Sequence, residues 1–428
     1  MKILIITGNP FSRVLNNGKT HEAIFSAFSR DELCELFCRP VETIYTDFNF
    51  CSSFYMVTEA DIVRKLIFRN KICGNVVKPK NQKYELNTRI YNTSFSSGWT
   101  FLKLFRDALW NTGVWKTRNF FKWCITQSPD LIFVDGGGEK FLYNIAIYIS
   151  DMMNIPIVSF FTDDYFLYNF KKTLIGRYQL KQYRDCLKQL VEKSSACFAI
   201  GKYMADDYSK YFNKPFLHIM NCTDVPLVRN KQLHKITTIS YFGGLQLERW
   251  KMIVKLAKIV GKRYVINVYS FSKLTLRINR EFHEVGINYY NGLVGDALFN
   301  CMNNSDVLLH VESDKKRYRT FTRLAISTKI PEYLMTGKVV LGFGPLEIAS
   351  MRILSDNHIG IVISSEADQD KIERLMYETL SDDKHMSLVA QNGQEFAIRN
   401  FNKKTNSLYL RREIALIIKM HNYEFSKI

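Results

Sequence analysis

The sequence predicts an α/β protein built of two doubly wound halves, and three observations predict it. Short all-apolar runs alternate with apolar-periodic stretches along the whole chain, the pattern of strands and helices in parallel sheets. Several of those runs open directly onto glycines, where a strand turns into its helix. Midway, residues 221–235 have no periodicity and contain a proline, and the same grammar restarts after them. At 428 residues, 46% hydrophobic and 23% charged, the chain can fill two cores.

The elements follow in order. "KILIIT" (2–7) is a strand buried on both faces, followed by the loop "GNPFSRVLNNGKT" and a helix at 20–28. "SPDLIFVDGGG" (128–138) is a second buried strand ending on three glycines, with a helix at 139–153. "IPIVSFFTDD" (155–164) ends in paired acids; a helix at 175–193 and the strand "ACFAIG" (196–201) complete the first half. The second half opens with "ITTISYFGG" (236–244) and an amphipathic helix at 248–260. Strands at 264–270, 287–294, 306–312 and 360–364 follow, with a helix at 296–304 and later helices at 368–380, 385–399 and 403–420. Such halves are Rossmann-like domains: 1–225, 226–402 and a closing helix at 403–428.

No apolar run approaches the ~18–20 residues of a membrane-spanning helix, and the first residues read as a strand rather than a signal peptide. Nine scattered cysteines form no Cys-x-x-Cys pair, so neither a disulfide framework nor a zinc site is expected, and the compartment is cytoplasmic. Cys34 and Cys38, four apart, read as core thiols on one helical face. The net charge of +18 is concentrated: residues 64–122 hold thirteen lysines and arginines against Glu85 and Asp107, and Trp99, Trp110 and Trp115 lie among them with Trp123 just beyond. Basic residues beside indoles suit an anionic bilayer. The alternative is rings in the core under a solvated charged face. In "WTFLKLFRDALW" (99–110) one helical face is apolar, so Phe105, Leu109 and Phe121 are expected against the sheet and the tryptophans at its rim.

Ligands of open α/β sheets gather beyond the carboxyl ends of strands, where backbone N–H groups and helix starts attract anions. Gly243 and Gly244 end the first strand of the second half, and Arg249 and Lys251 follow at the next helix start. The two glycines allow close backbone approach, and the two cations can neutralise a diphosphate. Further on, "STKIPEYLMTGKVVLGFGP" (327–345) sets Glu332 in the first turns of an apolar helix, where Ser327 can cap it. Arg323, Thr328 and Lys329 flank the carboxylate. A nucleotide ribose, with two vicinal hydroxyls, would give Glu332 a partner. Asp368 and Asp370 read as helix capping rather than as metal ligands.

These stretches together resemble the GT-B glycosyltransferases, closest to the retaining glycosyltransferase family four and its relatives in bacterial surface-polysaccharide synthesis. The resemblance covers nearly the whole chain, and the stretch 327–345 resembles the helix of the family's Glu-x7-Glu motif. It implies two facing Rossmann-like domains with a cleft between them, and a hexosyltransferase-type activity. It gives Glu332 the donor ribose; Gly243, Gly244, Arg249 and Lys251 the donor diphosphate; and Asn17 and Gly18 a loop closing over the reacting sugar. Asp163, in "FFTDDY", resembles the family's His-Asp site near that sugar; its alternative is a helix N-cap. The implied partners are a nucleotide-diphosphate sugar and a lipid-linked glycan at the inner membrane face, with no metal or other cofactor and no nucleic acid. One residue departs from the pattern: Leu324 stands where the family's first glutamate belongs, and Glu312 is the nearest carboxylate to replace it. The rival classes are a basic nucleic-acid-binding protein, which would leave Glu332 and the glycine turns idle, and a nucleotide-sugar epimerase on the same fold.

Overall fold

The computed structural model describes residues 1–12, 16–39, 46–68, 72–78, 99–167, 173–223 and 236–425. They form two compact units, one taking the chain up to Met220 and again from Lys403, the other Asn221–Asn402. Most of the linker expected at 221–235, and residues 69–71 and 79–98 of the basic span, lie outside the described residues.

The first unit is built on an eight-stranded sheet. Its strands are β1 (Ile3–Thr7), β2 (Leu33–Phe37), β3 (Ser53–Met56), β4 (Asn75–Val76), β5 (Leu131–Asp135), β6 (Ile157–Phe161), β7 (Ala196–Ile200) and β8 (Phe216–Ile219). Their order is β4-β3-β2-β1-β5-β6-β7-β8, parallel except for β3 against β4. The central strands β1, β2, β5 and β6 are buried along their whole length. Helices α1 (Asn16–Ile24), α2 (Glu59–Phe68), α3 (Trp99–Asn111), α4 (Arg118–Gln127), α5 (Lys140–Met153), α6 (Leu174–Lys193) and α7 (Lys202–Phe212) connect them. Helix ends follow local chemistry. Thr117 and Thr173 accept the N–H groups of Phe120 and Gly176, while Ser128, Asn154 and Asn213 end α4, α5 and α7 in the left-handed conformation.

The second unit has six parallel strands: β9 (Thr238–Phe242), β10 (Val265–Ser270), β11 (Asn288–Asn291), β12 (Val307–Val311), β13 (Val339–Gly344) and β14 (Ile361–Ser364). Their order is β11-β10-β9-β12-β13-β14. Helices α8 (Arg249–Val260), α9 (Leu276–Glu284), α10 (Gly295–Asn303), α11 (Lys316–Thr322), α12 (Lys329–Met335), α13 (Ala349–Asp356), α14 (Gln369–Leu380) and α15 (Asp383–Asn400) join or cover them. Asp368 caps α14 by accepting the Lys371 N–H at 2.8 Å, as read from the sequence. The last helix, α16 (Lys403–Phe425), belongs to the first unit: Lys403 pairs with Glu22 at 2.8 Å and Arg411 with Glu32 at 2.7 Å.

Three expectations are corrected. Cys34 and Cys38 share no helical face, because Cys34 lies in strand β2 and Cys38 directly follows it; an even spacing satisfies a strand as well as a helix, and both thiols are buried. Trp110 and Trp115 are not at a rim: they are 3% and 4% exposed. Trp110 stacks on Phe141 with centroids 4.3 Å apart, and its Nε1–H donates to Glu59. Phe105, expected against the sheet, is instead exposed. Trp123 is buried as well, with its Nε1–H on Ser53 Oγ at 2.8 Å. Indoles carry a larger apolar surface than phenylalanine and found their hydrogen-bond partners inside.

Candidate active site

In each sheet one strand is flanked by neighbours reached in opposite directions: β1 lies between β2 and β5, and β9 between β10 and β12. The crevice beyond the carboxyl ends at such a point is where open α/β sheets hold ligands. Buried carboxylates lie at both places, Glu312 just after β12 and Asp135 at the end of β5.

In the second unit, β9 ends at Phe242 and the chain turns through Gly243 and Gly244. The Tyr241 hydroxyl donates to the Gly244 carbonyl at 2.7 Å and fixes the turn. Leu247 and Glu248 then adopt left-handed backbone, φ 60° each, a conformation uncommon for such residues. They start α8 so that Arg249, its first residue, reaches the end of β12. There Arg249 Nη2 donates to both oxygens of Glu312, at 3.1 and 3.2 Å. His310 Nε2 lies 3.3 Å from the same carboxylate. Burial pushes the Glu312 carboxyl up, but Arg249 and His310 outweigh it and hold the group below its ordinary value. Gly344 makes room: a Cβ there would lie 2.9 Å from the Glu312 carbonyl oxygen. Arg249 Nε is buried with no partner among the described residues.

Helix α12 supplies Glu332, 6% exposed, with Lys329 Nζ 3.0 Å from Oε2. The capping expected of Ser327 is partial. Its Oγ accepts the Lys329 N–H at 3.3 Å, while Thr328 is the N-cap and makes no side-chain capping bond. Tyr333 ties this helix to β9, its hydroxyl accepting the Phe242 N–H at 3.0 Å and donating to the Phe242 carbonyl at 3.1 Å. Glu332 is therefore on a helix anchored to the strand that leads into the glycine turn. Arg323 follows α11, its carbonyl accepting the Ala349 N–H at 2.8 Å, and Leu324 is buried beside it.

Lys251 is not brought to Arg249. Two residues on along a helix point to different faces, and its ammonium pairs with Glu248 at 3.0 Å. It lines a groove of about 370 Å³ with Lys255, Lys258, Glu281 and Gln369.

In the first unit, Asn17 and Gly18 lie in α1. A Cβ on Gly18 would lie 2.6 Å from the Ser12 nitrogen, so the helix packs against the loop after β1 only with glycine there. Asp163 lies two residues beyond the end of β6; burial and the neighbouring Asp164 raise it to about 6. It caps no helix. The capping role in this turn falls to Asp164, whose Oδ1 accepts the Leu167 N–H at 2.8 Å and the Tyr208 hydroxyl at 3.1 Å.

The sequence reading missed the rest of this site. Asp135, the last residue of β5, accepts the Gly137 N–H on Oδ1 at 3.1 Å, and its Oδ2 lies 4.0 Å from His21 Nε2. Burial, then Asp163, raises Asp135 to about 7, and burial lowers His21 to about 4. Glu139 Oε1 is held by Arg39 at 2.5 Å and Arg106 at 3.0 Å. "FVDGGGE" carried a signal, an acid at a strand's carboxyl end before glycines; His21, Arg39 and Arg106 carried none. Among the described residues no group of three or more His, Cys, Asp or Glu is placed to hold a metal ion, and no helix is long and apolar enough to cross a membrane.

No family model and no curated protein matches the chain. Solved structures do. HepE from Anabaena, in complex with UDP, is 11% identical, with 97% of this chain and 100% of that one covered and a TM-score of 0.64. Sucrose-phosphate synthase from Thermosynechococcus elongatus is 10% identical over 98% and 100%, with a TM-score of 0.61. TarM from S. aureus, with UDP and alpha-GlcNAc-glycerol among its ligands, is 9% identical over 97% and 100%, at 0.58. At these identities the likeness is one of fold, and with two Rossmann-like parallel-sheet domains the fold is GT-B.

Proposed function

We propose that the protein is a glycosyltransferase taking its sugar from a nucleoside-diphosphate sugar bound by the second unit. One observation carries the reading. At the β9/β12 switch point Arg249, its side chain 22% exposed but its Nε buried and unanswered among the described residues, stands at the helix start that follows the glycine turn. On this reading Arg249 and the backbone N–H groups of the turn receive the diphosphate, where negative charge builds as the glycosidic bond breaks. Glu332 accepts the ribose hydroxyls, with Gly243, Gly244, Ser327, Thr328 and Lys329 around the nucleotide, and Arg323 nearby. Glu312 acts through Arg249, holding the guanidinium in place, rather than on the donor. Lys251, turned to another face, has no part in the reading, and no metal is assigned. That HepE and TarM carry UDP makes UDP the first nucleotide to try.

For the acceptor we propose a lipid-linked glycan, met at the cytoplasmic face of a membrane in surface-polysaccharide synthesis. Its support is no longer the tryptophans but the end of α2 and strand β4, where Leu66, Ile67, Phe68, Ile72 and Val76 are exposed beside Arg64 and Lys78. Retention, which the family resemblance implied, depended on a carboxylate that Leu324 replaces, and it is not carried over.

The test is a thermal-shift screen of UDP, GDP, ADP, CDP and dTDP. A specific nucleotide at a hundredfold excess over its Kd stabilises the native state by about 2.7 kcal/mol, so one should raise the melting temperature well above the others. A set that shifts nothing overturns the reading.

A further inference from the structure

We infer that the first unit holds, beyond the ends of β5 and β6, a site for the ammonium group of an amino sugar, formed by Asp135, Glu139, Asp163 and His21. On the glycosyltransferase reading above, on which this assignment rests, that sugar belongs to the acceptor glycan. Strands β5 and β6 are parallel neighbours, with Asp135 opposite Phe160, and Asp163 follows three residues after that phenylalanine. Two carboxyls thus stand at the carboxyl edge of adjacent strands. Between Asp135 and Glu139 the chain is Gly136–Gly138, which puts no side chain over them. Gly137, Gly138 and Asp163 are half-buried, so the place is partly open to solvent.

The cations around these carboxyls are engaged with other groups. Arg39 and Arg106 both hold Glu139 Oε1, and Lys140 turns to Asp107 at 3.2 Å and to Gln182 at 2.7 Å. Asp135 is faced instead by His21 from α1, by Asp163 and by the hydroxyls of Tyr143, Tyr165 and Tyr183. Three acceptor positions are left open. Glu139, 6% exposed, has its Oε2 buried without a hydrogen-bond partner among the described residues. His21 is 1% exposed, neither of its ring nitrogens has such a partner, and Nε2 lies 4.0 Å from Asp135 Oδ2. Buried polar groups without partners are costly, and a ligand that answers them removes the cost.

The electrostatics ask for the same ligand. Burial, then Asp163, raises Asp135 to about 7; burial, then Asp164, raises Asp163 to about 6; burial lowers His21 to about 4 and keeps its ring neutral. An ammonium brings the missing positive charge, and its three N–H donors suit two carboxylates and the accepting nitrogen of a neutral imidazole. A divalent metal does not fit, since no group of three or more His, Cys, Asp or Glu among the described residues is placed to hold one. Glu139 Oε2 is then left to accept a ring hydroxyl, which a bare amine does not offer.

The test is calorimetric titration of the full chain at pH 6 with glucosamine, glucose, N-acetylglucosamine and ethanolamine, with UDP titrated alongside. Glucosamine should bind about tenfold or more tightly than each of the other three. Its ammonium favours the ionised carboxyls, so binding should release protons, read as an enthalpy that changes with the ionisation enthalpy of the buffer. Asp163→Asn, at the half-buried position, and Asp135→Asn should each weaken glucosamine about tenfold and reduce the proton release, with UDP affinity unchanged as the check on folding. Glucose or N-acetylglucosamine binding as tightly as glucosamine overturns the inference, as does a chain that binds UDP but no glucosamine. Unchanged glucosamine affinity in both variants overturns it too. Ethanolamine matching glucosamine overturns the assignment of a sugar. Failure to bind UDP or any other nucleoside diphosphate would instead overturn the glycosyltransferase reading itself.

Discussion

Glu35 and Glu312 are both buried carboxyls, and their neighbours set them apart. Glu312 has a guanidinium at 3.1 Å and stays ionised. Glu35 has only neutral partners, the Thr7 hydroxyl at 3.0 Å and the Phe11 N–H at 3.1 Å, and burial raises it to about 8. Thr7 Oγ1 also lies 2.8 Å from the Asn9 carbonyl. A protonated Glu35 can thus donate to Thr7 while Thr7 donates to Asn9, pinning the loop after β1. The sign follows from linkage. The folded chain keeps a proton that unfolded glutamate releases above about 4.5, so Glu35 costs stability as pH rises from there to about 8. The limiting slope is about 1.4 kcal/mol per pH unit. Glu35→Gln keeps the shape without the proton. In urea melts at pH 5 and pH 8, the wild type should lose more stability between the two than the variant. Equal losses would mean that Glu35 is ionised throughout.

At the scale of elements, α3 was legible as an amphipathic helix but its docking was not. Periodicity finds an apolar stripe, whereas which ring enters the core depends on Phe141 and Glu59, remote in sequence. The basic residues first assigned to the membrane are divided too: Arg106 is engaged by Glu139, and Lys116 lies 3.7 Å from the centre of the Tyr148 ring. The side chains of Trp99 and Lys103 lie outside the described residues. The surface left for a bilayer is the end of α2, where Phe68 is 75% exposed. Apolar side chains there can enter the headgroup boundary, and each nearby Lys or Arg adds about 1 kcal/mol on an anionic surface. The protein should sediment with phosphatidylserine liposomes at low salt and be released as salt rises. Ile67→Asp with Phe68→Asp should abolish sedimentation and leave UDP affinity unchanged. A variant that sediments like the wild type would remove α2 from the contact.

For the whole molecule, the strands of the second sheet were the more legible, its central β9, β12 and β13 being buried and appearing as apolar runs. The first half was read from β1, β5, β6 and β7 alone. Strand β2 is interrupted by Glu35 and β3 is only four residues long, so neither stood out as an apolar run. The return of α16 to the first unit was equally hidden, since its partners Glu22 and Glu32 lie at the far end of the chain. Of the candidate site, the residues beside glycine turns were visible. Those that act through a distant partner, such as His21 with Asp135 or Tyr333 with Phe242, appear only once the strands are in register. The central claim is that the β9/β12 switch point holds a nucleoside diphosphate. Calorimetric titration of UDP into the wild type, Arg249→Ala and Glu332→Ala tests it most directly. The expected result is saturable binding that each substitution weakens by about 1–3 kcal/mol, the usual loss of a charge-assisted hydrogen bond. Wild-type affinity in both folded variants would contradict it.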